Sequence, residues 1–246
     1  MPNLFKNVYP IFNIMNCIIC NNDSIQTQTD VYKCPMCSHT YVNFLGDPIQ
    51  YHKESYRKNK FGTRGSGEIE NDVFTENFHN FRKPICEKRI HKIKDLIDDS
   101  TSMFDIGAGG GTFLNTIGDM ISQKECQEVS DICIKNLELQ GYTTYRGDFC
   151  SMDIPNEYDL VTCFHVLEHI KNLYAFVDAA YKITKKYLVI EVPVNRSIPP
   201  PNERWDGHYH YFSNQSMRDL FSNKFEVISI QEGVQSPAML VTLKKV

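Results

Sequence analysis

The chain has 246 residues, of which 41% are hydrophobic and 23% are charged, and these ordinary values exclude a wholly disordered, collagen-like or coiled-coil protein. Its net charge of −4 argues against a dedicated nucleic-acid binder, which normally needs a basic surface. No apolar run is long enough to span a membrane, and the N-terminal residues lack a signal-peptide cleavage site. We therefore expect a cytoplasmic protein.

The cysteines are unevenly distributed, and four of the nine form two close C-x-x-C pairs. Two such pairs at this separation are typical of a zinc ribbon, in which four thiolates close a tetrahedral site and leave no open position for catalysis. We predict a structural Zn²⁺ site in a ribbon of residues 1–45, with His39 as an alternative ligand. The predicted ligands are Cys17, Cys20, Cys34 and Cys37.

Residues 46–83 are polar and are predicted to be a linker or a segment that covers the substrate. From Pro84, which is expected to begin a helix, buried strands alternate with helices. The alternation predicts an α/β domain over residues 84–246, with a doubly wound, mainly parallel sheet closed by a terminal hairpin. The expected strands are Met103–Ile106, Gln123–Gln127, Tyr142–Tyr145, Tyr158–Phe164, Tyr187–Val192, Phe225–Ile230 and Met239–Leu243. Beyond the helix at Pro84, three helices are expected to begin at Thr112, Asp131 and Leu173. A final helix is expected to follow a cap at Ser213.

A glycine-rich turn follows the first of these strands. Asp105, Gly107, Gly109 and Gly111 form a D-x-G-x-G-x-G pattern before the helix at Thr112. Such a turn at the edge of an open α/β sheet is typical of a nucleotide-like ligand, because glycine lets the backbone approach the ligand closely. The G-x-G-x-x-G spacing of dinucleotide sites is not present, and an acid before the first glycine suits a cationic ligand that carries an amino acid.

Polar and aromatic residues at the ends of the next two strands complete this candidate site. Glu128, with Glu125 as the fallback, is placed to bind both hydroxyls of a ribose. Asp148 can accept a hydrogen bond from an adenine amino group, and Phe149 can pack on the ring. Because these residues follow the glycine turn in this order, they predict one cofactor site rather than unrelated turn residues.

The series FDIGAGGGTF, the acid at Glu128, GDF and FHVLEHI resembles the class I S-adenosylmethionine-dependent methyltransferases in order and spacing. The resemblance covers residue 84 to the C-terminus and implies a Rossmann-like, seven-stranded sheet with S-adenosylmethionine (SAM) as the cofactor. It also implies that Asp105 and Gly107 face the methionine end, Glu128 the ribose and Asp148 the adenine. The second strand is more polar than is usual in the family.

Methyl transfer to a hydroxyl needs a base, and histidine suits that role near neutral pH. His165, at the end of the fourth strand, and His210 are the predicted catalytic residues, each with a structural role as the alternative. His165 also begins an H-x-x-E-H pattern, which is a metallopeptidase motif when it lies on a continuous helix. Because His165 ends a strand, a catalytic zinc is not expected, and Glu168 and His169 remain either a candidate divalent-metal pair or residues that orient the loop.

The segment around His210 resembles the H-x-F-[ST] segment of methyltransferases that act on sugars and other small molecules. His208, two residues earlier, is expected at the surface. Trp205 and Tyr211 are candidate walls of the acceptor pocket, with core packing as the alternative.

A ribbon followed by this domain resembles bacterial-type methyltransferases of surface-polysaccharide and deoxysugar pathways, some of which carry a further C-terminal domain. We therefore expect O-methylation of a carbohydrate or related small molecule, free or nucleotide-linked. Ribosomal-RNA guanine methyltransferases also carry a ribbon, and the basic tract from Lys53 to Arg64 favours that alternative, whereas the net charge opposes it. A non-catalytic binding module is the third alternative, and the intact cofactor series argues against it.

Overall fold

A computed structural model describes part of the chain. The described residues are 14–43, 69–70, 73–194, 207–235 and 237–246. Trp205 and the basic tract from Lys53 to Arg64 lie outside these residues. Within them, none of the helices combines the length and the apolar composition that crossing a membrane requires.

The cysteine-rich N-terminal unit is a small antiparallel sheet. Its first four strands are β1 (Ile14–Asn16), β2 (Asp23–Gln28), β3 (Val31–Lys33) and β4 (Thr40–Val42). One C-x-x-C pair lies in the turn after β1 and the other in the turn after β3. The two pairs therefore meet at one end of the sheet.

A two-stranded hairpin, β5 (Ile69–Glu70) with β6 (Val73–Phe74), leads into the helix α1 (Glu76–Ile93). The prediction that this helix begins at Pro84 is wrong, because the helix begins eight residues earlier and contains the proline. Residues 76–83 of the predicted linker therefore belong to α1.

Capping and packing explain why α1 begins where it does. The side chain of Thr75 accepts a hydrogen bond from the backbone nitrogen of Phe78, as is typical at the start of a helix. Phe78 is buried against Phe74 and Cys133. These contacts stabilise the first turns of α1, although a proline inside a helix removes one backbone hydrogen bond.

The remaining strands, except one short strand described below, form a single seven-stranded sheet, and the predicted Rossmann-like α/β fold is confirmed. They are β7 (Ser102–Ile106), β8 (Gln123–Glu128), β9 (Thr143–Arg146), β10 (Tyr158–Phe164), β11 (Thr184–Pro193), β13 (Phe225–Glu232) and β14 (Ala238–Lys245). Their order across the sheet is β13-β14-β11-β10-β7-β8-β9, and only β14 runs antiparallel to its neighbours. The strand order reverses between β7 and β10, which is where open α/β sheets bind ligands.

Four further helices pack on this sheet or join its strands. They are α2 (Thr112–Ile117), α3 (Asp131–Leu139), α4 (Leu173–Ile183) and α5 (Asn214–Phe221). In α4 the buried positions Leu173, Phe176, Val177, Ala180 and Ile183 recur at helical spacing, so one face covers the sheet. The predicted cap at Ser213 is confirmed, since its side chain accepts from the nitrogen of Ser216 in a capping box.

The fifth strand of the N-terminal sheet comes from late in the chain. Strand β12 (His210–Tyr211) pairs antiparallel with β4. Just before it, the Tyr209 carbonyl accepts a 2.8 Å hydrogen bond from the nitrogen of Val42, and the nitrogen of Tyr209 donates a 2.8 Å hydrogen bond to the carbonyl of Glu168. The segment around β12 thereby connects the N-terminal sheet to the turn that follows β10.

Candidate active site

The turn after β7 requires its glycines. Gly107, Gly109 and Gly111 have φ angles of 69°, 57° and 83°, in the left-handed region that other residues rarely adopt. A Cβ atom at Gly107 would also collide with the side chain of Val166. The turn therefore presents bare backbone at the carboxyl edge of the sheet, beside the start of α2.

Asp105 is the acid that precedes this turn. It is 3% exposed and accepts a 2.6 Å hydrogen bond from Oγ1 of Thr162. Burial raises the pKa of Asp105 to about 7, although Thr162 and the charge of Arg89 act in the opposite direction. Because a nearby cation favours the charged form, a bound ammonium group would lower this pKa again.

A cavity of about 450 Å³ opens in front of the glycine turn. Asp105, Gly107 and Gly109 line it, and so does His165. The opposite wall comes from helix α1, through residues that include Phe78, Arg82 and Arg89. The structure therefore brings together the acid, two of the glycines and one of the two candidate catalytic histidines.

His165 has a strained backbone directly after β10. Its φ of 57° is unusual for a residue with a side chain, and such strain, roughly 1–3 kcal/mol, is found mainly at functional sites. The ring lies between two buried carboxylates, with Nδ1 3.3 Å from Oε1 of Glu168 and Nε2 3.0 Å from Oε1 of Glu191. Burial alone would lower the pKa of His165, but the two carboxylates raise it to about 9.

Glu191, buried in β11, holds several partners in place. Arg89 of α1 pairs with it through two hydrogen bonds, Nε to Oε2 at 3.1 Å and Nη2 to Oε1 at 3.2 Å. The nitrogen of Gln235 donates to Oε1 at 3.2 Å. Burial raises the pKa of Glu191, but His165 and Arg89 outweigh it and lower the pKa to about 2. Glu191 is therefore a charged anchor for the His165 ring.

Glu168, His169 and His208 meet on the other side of His165. Their ligand atoms all lie within 4.8 Å of one another, and all three residues line the cavity. The expectation that His208 lies at the surface is wrong, because its side chain is only 17% exposed and faces Glu168. The segment Leu167–His169 is a single 3-10 turn rather than part of a continuous helix, which argues against the metallopeptidase interpretation.

Glu128, rather than Glu125, is the last residue of β8. Its carboxylate accepts hydrogen bonds from the nitrogens of Gly109 at 2.7 Å, Val129 at 2.6 Å and Ser130 at 3.0 Å. Burial raises the pKa of Glu128, and these three N–H groups act against that increase. Glu128 therefore holds the glycine turn from behind and is not part of the cavity wall.

Asp148 and Phe149 lie away from the cavity. The Asp148 carboxylate caps a short 3-10 turn by accepting from the nitrogen of Cys150 and the hydroxyl of Ser151. Phe149 is 2% exposed, and its ring lies 5.6 Å from that of Phe176. In this structure the Phe149 ring is therefore part of the core.

His210 is not brought to the cavity. It is buried in β12, where its Nε2 lies 2.9 Å from the carbonyl of Ile170 and its ring stacks on His39 at 5.3 Å. Burial lowers the pKa of His210 to about 4. Tyr211, a candidate pocket wall, instead packs in the core of the N-terminal sheet with Val31.

The four cysteines of the N-terminal unit converge as expected for a metal site. Their sulfur atoms lie within 4.8 Å of one another, with Cys17 and Cys37 3.6 Å apart and Cys20 and Cys34 3.5 Å apart. Four thiolates around a Zn²⁺ ion at about 2.3 Å need closely similar separations. The donor set therefore fits zinc. His39, the alternative ligand, is not part of this group.

Sequence reasoning missed three residues of the site. Arg89 and Glu191 form a buried pair across 102 positions of sequence, and no local pattern marks either as a partner of His165. His208 lies two positions before His210, and residues two apart in an extended segment face the same side, so alternation does not distinguish the two histidines.

Comparisons with known proteins agree with this geometry. The model of a family described as a methyltransferase domain matches residues 78–229. The ubiquinone biosynthesis O-methyltransferase of Dechloromonas aromatica (strain RCB) is 26% identical over 136 residues, which are 48% of this chain. The matched region spans 59% of that relative.

Solved structures show the same fold. A magnesium protoporphyrin IX methyltransferase from Synechocystis PCC 6803 with bound SAM has a TM-score of 0.60 at 12% identity, over 83% of this chain and 100% of that one. A SAM-bound amino pentose methyltransferase from Micromonospora echinaspora, involved in calicheamicin biosynthesis, has a TM-score of 0.57 at 17% identity, over 72% and 99%. Since the family model covers more than half of the residues, the chain belongs to this methyltransferase-domain family.

Proposed function

We propose that this chain is a SAM-dependent methyltransferase that methylates a hydroxyl group of a carbohydrate or a related small molecule. The observation that carries the proposal is that Asp105 and the glycine turn line the same cavity as His165. An acid for the amino-acid end of the cofactor and a histidine for the acceptor thus share one water-accessible space.

In this proposal Asp105 binds the ammonium group of SAM, and the backbone of Gly107, Gly109 and Gly111 follows the cofactor. Glu128 binds the ribose, and Asp148 and Phe149 border the adenine. Glu128 supports the turn through Gly109, so its role toward the ribose includes shaping the loop that the cofactor contacts. Because Phe149 is 2% exposed, the adenine cannot stack on an open face of this ring unless the ring moves.

SAM supplies a methyl group on a sulfonium ion, and the acceptor oxygen displaces the thioether. The chain must align the acceptor with that methyl group and take up the hydroxyl proton. His165 is the proposed base, because its ring borders the cavity while Glu191 and Arg89 fix its orientation. Because the pKa of His165 is about 9, most of the imidazole is protonated at neutral pH, and only the neutral form can act as a base. Turnover should therefore increase with pH up to about 9.

Two features support a small, hydroxylated acceptor. The cavity wall is divided between polar groups and the rings of Phe78, Phe113 and Phe164, which suits a compact molecule with one apolar face. The chain is also acidic overall, with a net charge of −4, and this opposes RNA as the acceptor. The amino pentose methyltransferase with the same fold acts on a sugar, which is consistent with this choice.

For the N-terminal unit we propose a structural Zn²⁺ ion bound by Cys17, Cys20, Cys34 and Cys37, in a ribbon of residues 1–45. Four sulfur ligands fill a tetrahedral zinc site, so this ion has no open position for chemistry. The ion would hold the two C-x-x-C turns together. Ser213, at the start of α5, donates a hydrogen bond to the carbonyl of Cys37 and so connects the second of these turns to α5.

The test is a search for the acceptor with tritiated SAM. The purified chain and an Asp105→Asn variant are incubated with the labelled cofactor and a cell extract, and label is measured in small metabolites, glycans, RNA and protein. We expect nuclease-resistant label in the sugar or glycan fractions with the wild-type chain only. Nuclease-sensitive label would favour a ribbon-guided RNA methyltransferase, and no enzyme-dependent label in any fraction would oppose catalysis altogether.

A further inference from the structure

Three metal-ligating side chains converge in the wall of the cavity, away from the cysteine site. We propose that Glu168, His169 and His208 bind a divalent cation, and that this cation holds an oxygen atom of the acceptor. The role assigned to the cation rests on the proposed function. Binding of the cation does not, and it can be measured without turnover.

The first observation is the state of the Glu168 side chain. It is 1% exposed, and among the described residues neither of its carboxylate oxygens has a hydrogen-bond partner. Oε1 lies 3.3 Å from Nδ1 of His165 and 4.0 Å from Nε2 of His208, which are ion-pair contacts rather than hydrogen bonds. A buried carboxylate is costly unless positive charge or hydrogen bonds compensate it. Glu168 shares the charge of His165 with Glu191, and it borders a cavity that a further cation can enter.

The second observation is the orientation of His169. Its Nδ1 lies 3.1 Å from the carbonyl of Gly207, and only an N–H can bond to a carbonyl, so this hydrogen bond places the proton on Nδ1. In a neutral imidazole the lone pair is then on Nε2. Histidine ligands of metals are typically oriented in this way, with the second nitrogen donating to a backbone carbonyl.

The third observation is the position of His208. Its Nε2 is 4.0 Å from Oε1 of Glu168, and its ring is 4.6 Å from that of His169 in an edge-to-face arrangement. The neighbouring nitrogen of Tyr209 donates to the Glu168 backbone carbonyl, so the two segments are held together. Small side-chain rotations would bring all three ligand atoms to about 2.1 Å from one ion.

The donor set indicates which ions fit and what they would do. Two imidazoles and one carboxylate suit first-row divalent metals, and three protein ligands leave coordination positions for substrate oxygens. A cation there would polarise an acceptor hydroxyl and lower its pKa, while His165 next to Glu168 takes the proton. The cysteine site, with soft thiolate ligands only, would retain zinc in the presence of harder ions.

The experiment uses Mn²⁺ as the probe, because it prefers nitrogen and oxygen ligands and gives an electron paramagnetic resonance signal when free. The full chain is first dialysed against EDTA until metal analysis gives one zinc per chain, and is then titrated with Mn²⁺. We expect one Mn²⁺ to bind per chain while the zinc content stays constant. Glu168→Gln and His208→Ala should each weaken Mn²⁺ binding by about tenfold or more.

His91→Ala is the matched control, since His91 is an exposed histidine near the end of α1 and should leave Mn²⁺ binding unchanged. Binding of S-adenosylhomocysteine by calorimetry confirms that each variant is folded. The proposal is overturned if no Mn²⁺ binds at millimolar concentrations, or if folded Glu168→Gln binds it as the wild type does. Mn²⁺ binding without methyl transfer to any hydroxylated acceptor would instead contradict the proposed function and leave the cation site standing.

Discussion

The backbone nitrogen of Gly109 donates a 2.7 Å hydrogen bond to Oε2 of Glu128, so the acid at the end of β8 holds the cofactor turn after β7. Three N–H groups converge on this carboxylate, and the turn depends on it even before a ligand is bound. A single substitution at Glu128 should therefore affect both the shape of the turn and cofactor binding.

We expect Glu128→Ala to weaken S-adenosylhomocysteine binding by roughly 1.5–3 kcal/mol, the range for losing a hydrogen bond to a charged group. Calorimetric titration measures this directly. Glu125→Ala, on the same strand, is the matched control and should bind as the wild type does. Unchanged affinity in Glu128→Ala would refute the ribose role.

Cofactor affinity should increase with pH through the titration of Asp105. Because the pKa of Asp105 is about 7 in the folded protein, the carboxyl group is largely protonated at pH 6 and cannot attract an ammonium group well. Below pH 7 the affinity for S-adenosylhomocysteine should fall by up to about tenfold per pH unit. Calorimetry at pH 6 in buffers of different ionisation enthalpy should detect a proton released on binding.

The same raised pKa of Asp105 makes a prediction about stability. Between the pKa of Asp105 in the unfolded chain and its pKa of about 7 in the folded protein, the folded state binds more protons than the unfolded state. The free energy of unfolding therefore falls as the pH rises through this range. Asp105→Asn should therefore be more stable than the wild type at pH 8, by an amount on the order of 1–4 kcal/mol, yet bind the cofactor poorly. Urea unfolding at pH 8 that shows no gain would contradict the proposed desolvation of Asp105.

The two candidate catalytic histidines should respond differently to substitution. His165→Ala should lower kcat by about 10²-fold or more, the range for losing a general base, with little change in cofactor affinity. His210→Ala should chiefly lower the melting temperature, because the ring is buried under His39 and away from the cavity. If both variants lost turnover equally and kept their stability, His210 would be a catalytic residue as well as His165.

Metal analysis of the purified chain should give one zinc per chain from the cysteine site. Cys34→Ser should release this zinc and lower the stability of the N-terminal sheet, because a structural zinc supplies folding free energy. Cys150→Ser, which removes a cysteine outside the cluster, is the control and should retain the metal. A folded, zinc-free wild-type chain would contradict the ribbon.

Local patterns were sufficient for the parts of the structure that depend on neighbouring residues. The strand before Gly107 and the helix after it follow from an apolar run and a glycine turn, and the cysteine pairs follow from their spacing. The end of β8 was predicted at Gln127, one residue before its observed end at Glu128, although the strand is polar.

Long-range packing decided the rest. Pro84 was expected at the start of a helix, but the cap at Thr75 and the packing of Phe78 with Phe74 and Cys133 extend the helix to Glu76. Glu191, which contacts His165, and Arg89, which pairs with Glu191, lie far from His165 in the sequence, so their identity depends on the sheet order. The choice between His208 and His210 depends on the pairing of β12 with β4, which a sequence pattern does not reveal.

That pairing also affects how the chain can fold during synthesis. The N-terminal unit emerges from the ribosome before β12, and among the described residues β12 is the strand that covers the outer edge of β4. Until His210 and Tyr211 have been made, this edge of the described ribbon exposes backbone N–H and C=O groups and the side chains of Val31 and Val42 on which Tyr211 packs. A ribbon excised as a separate fragment would keep that open edge and should self-associate, whereas adding a peptide that spans β12 should return it to a monomer.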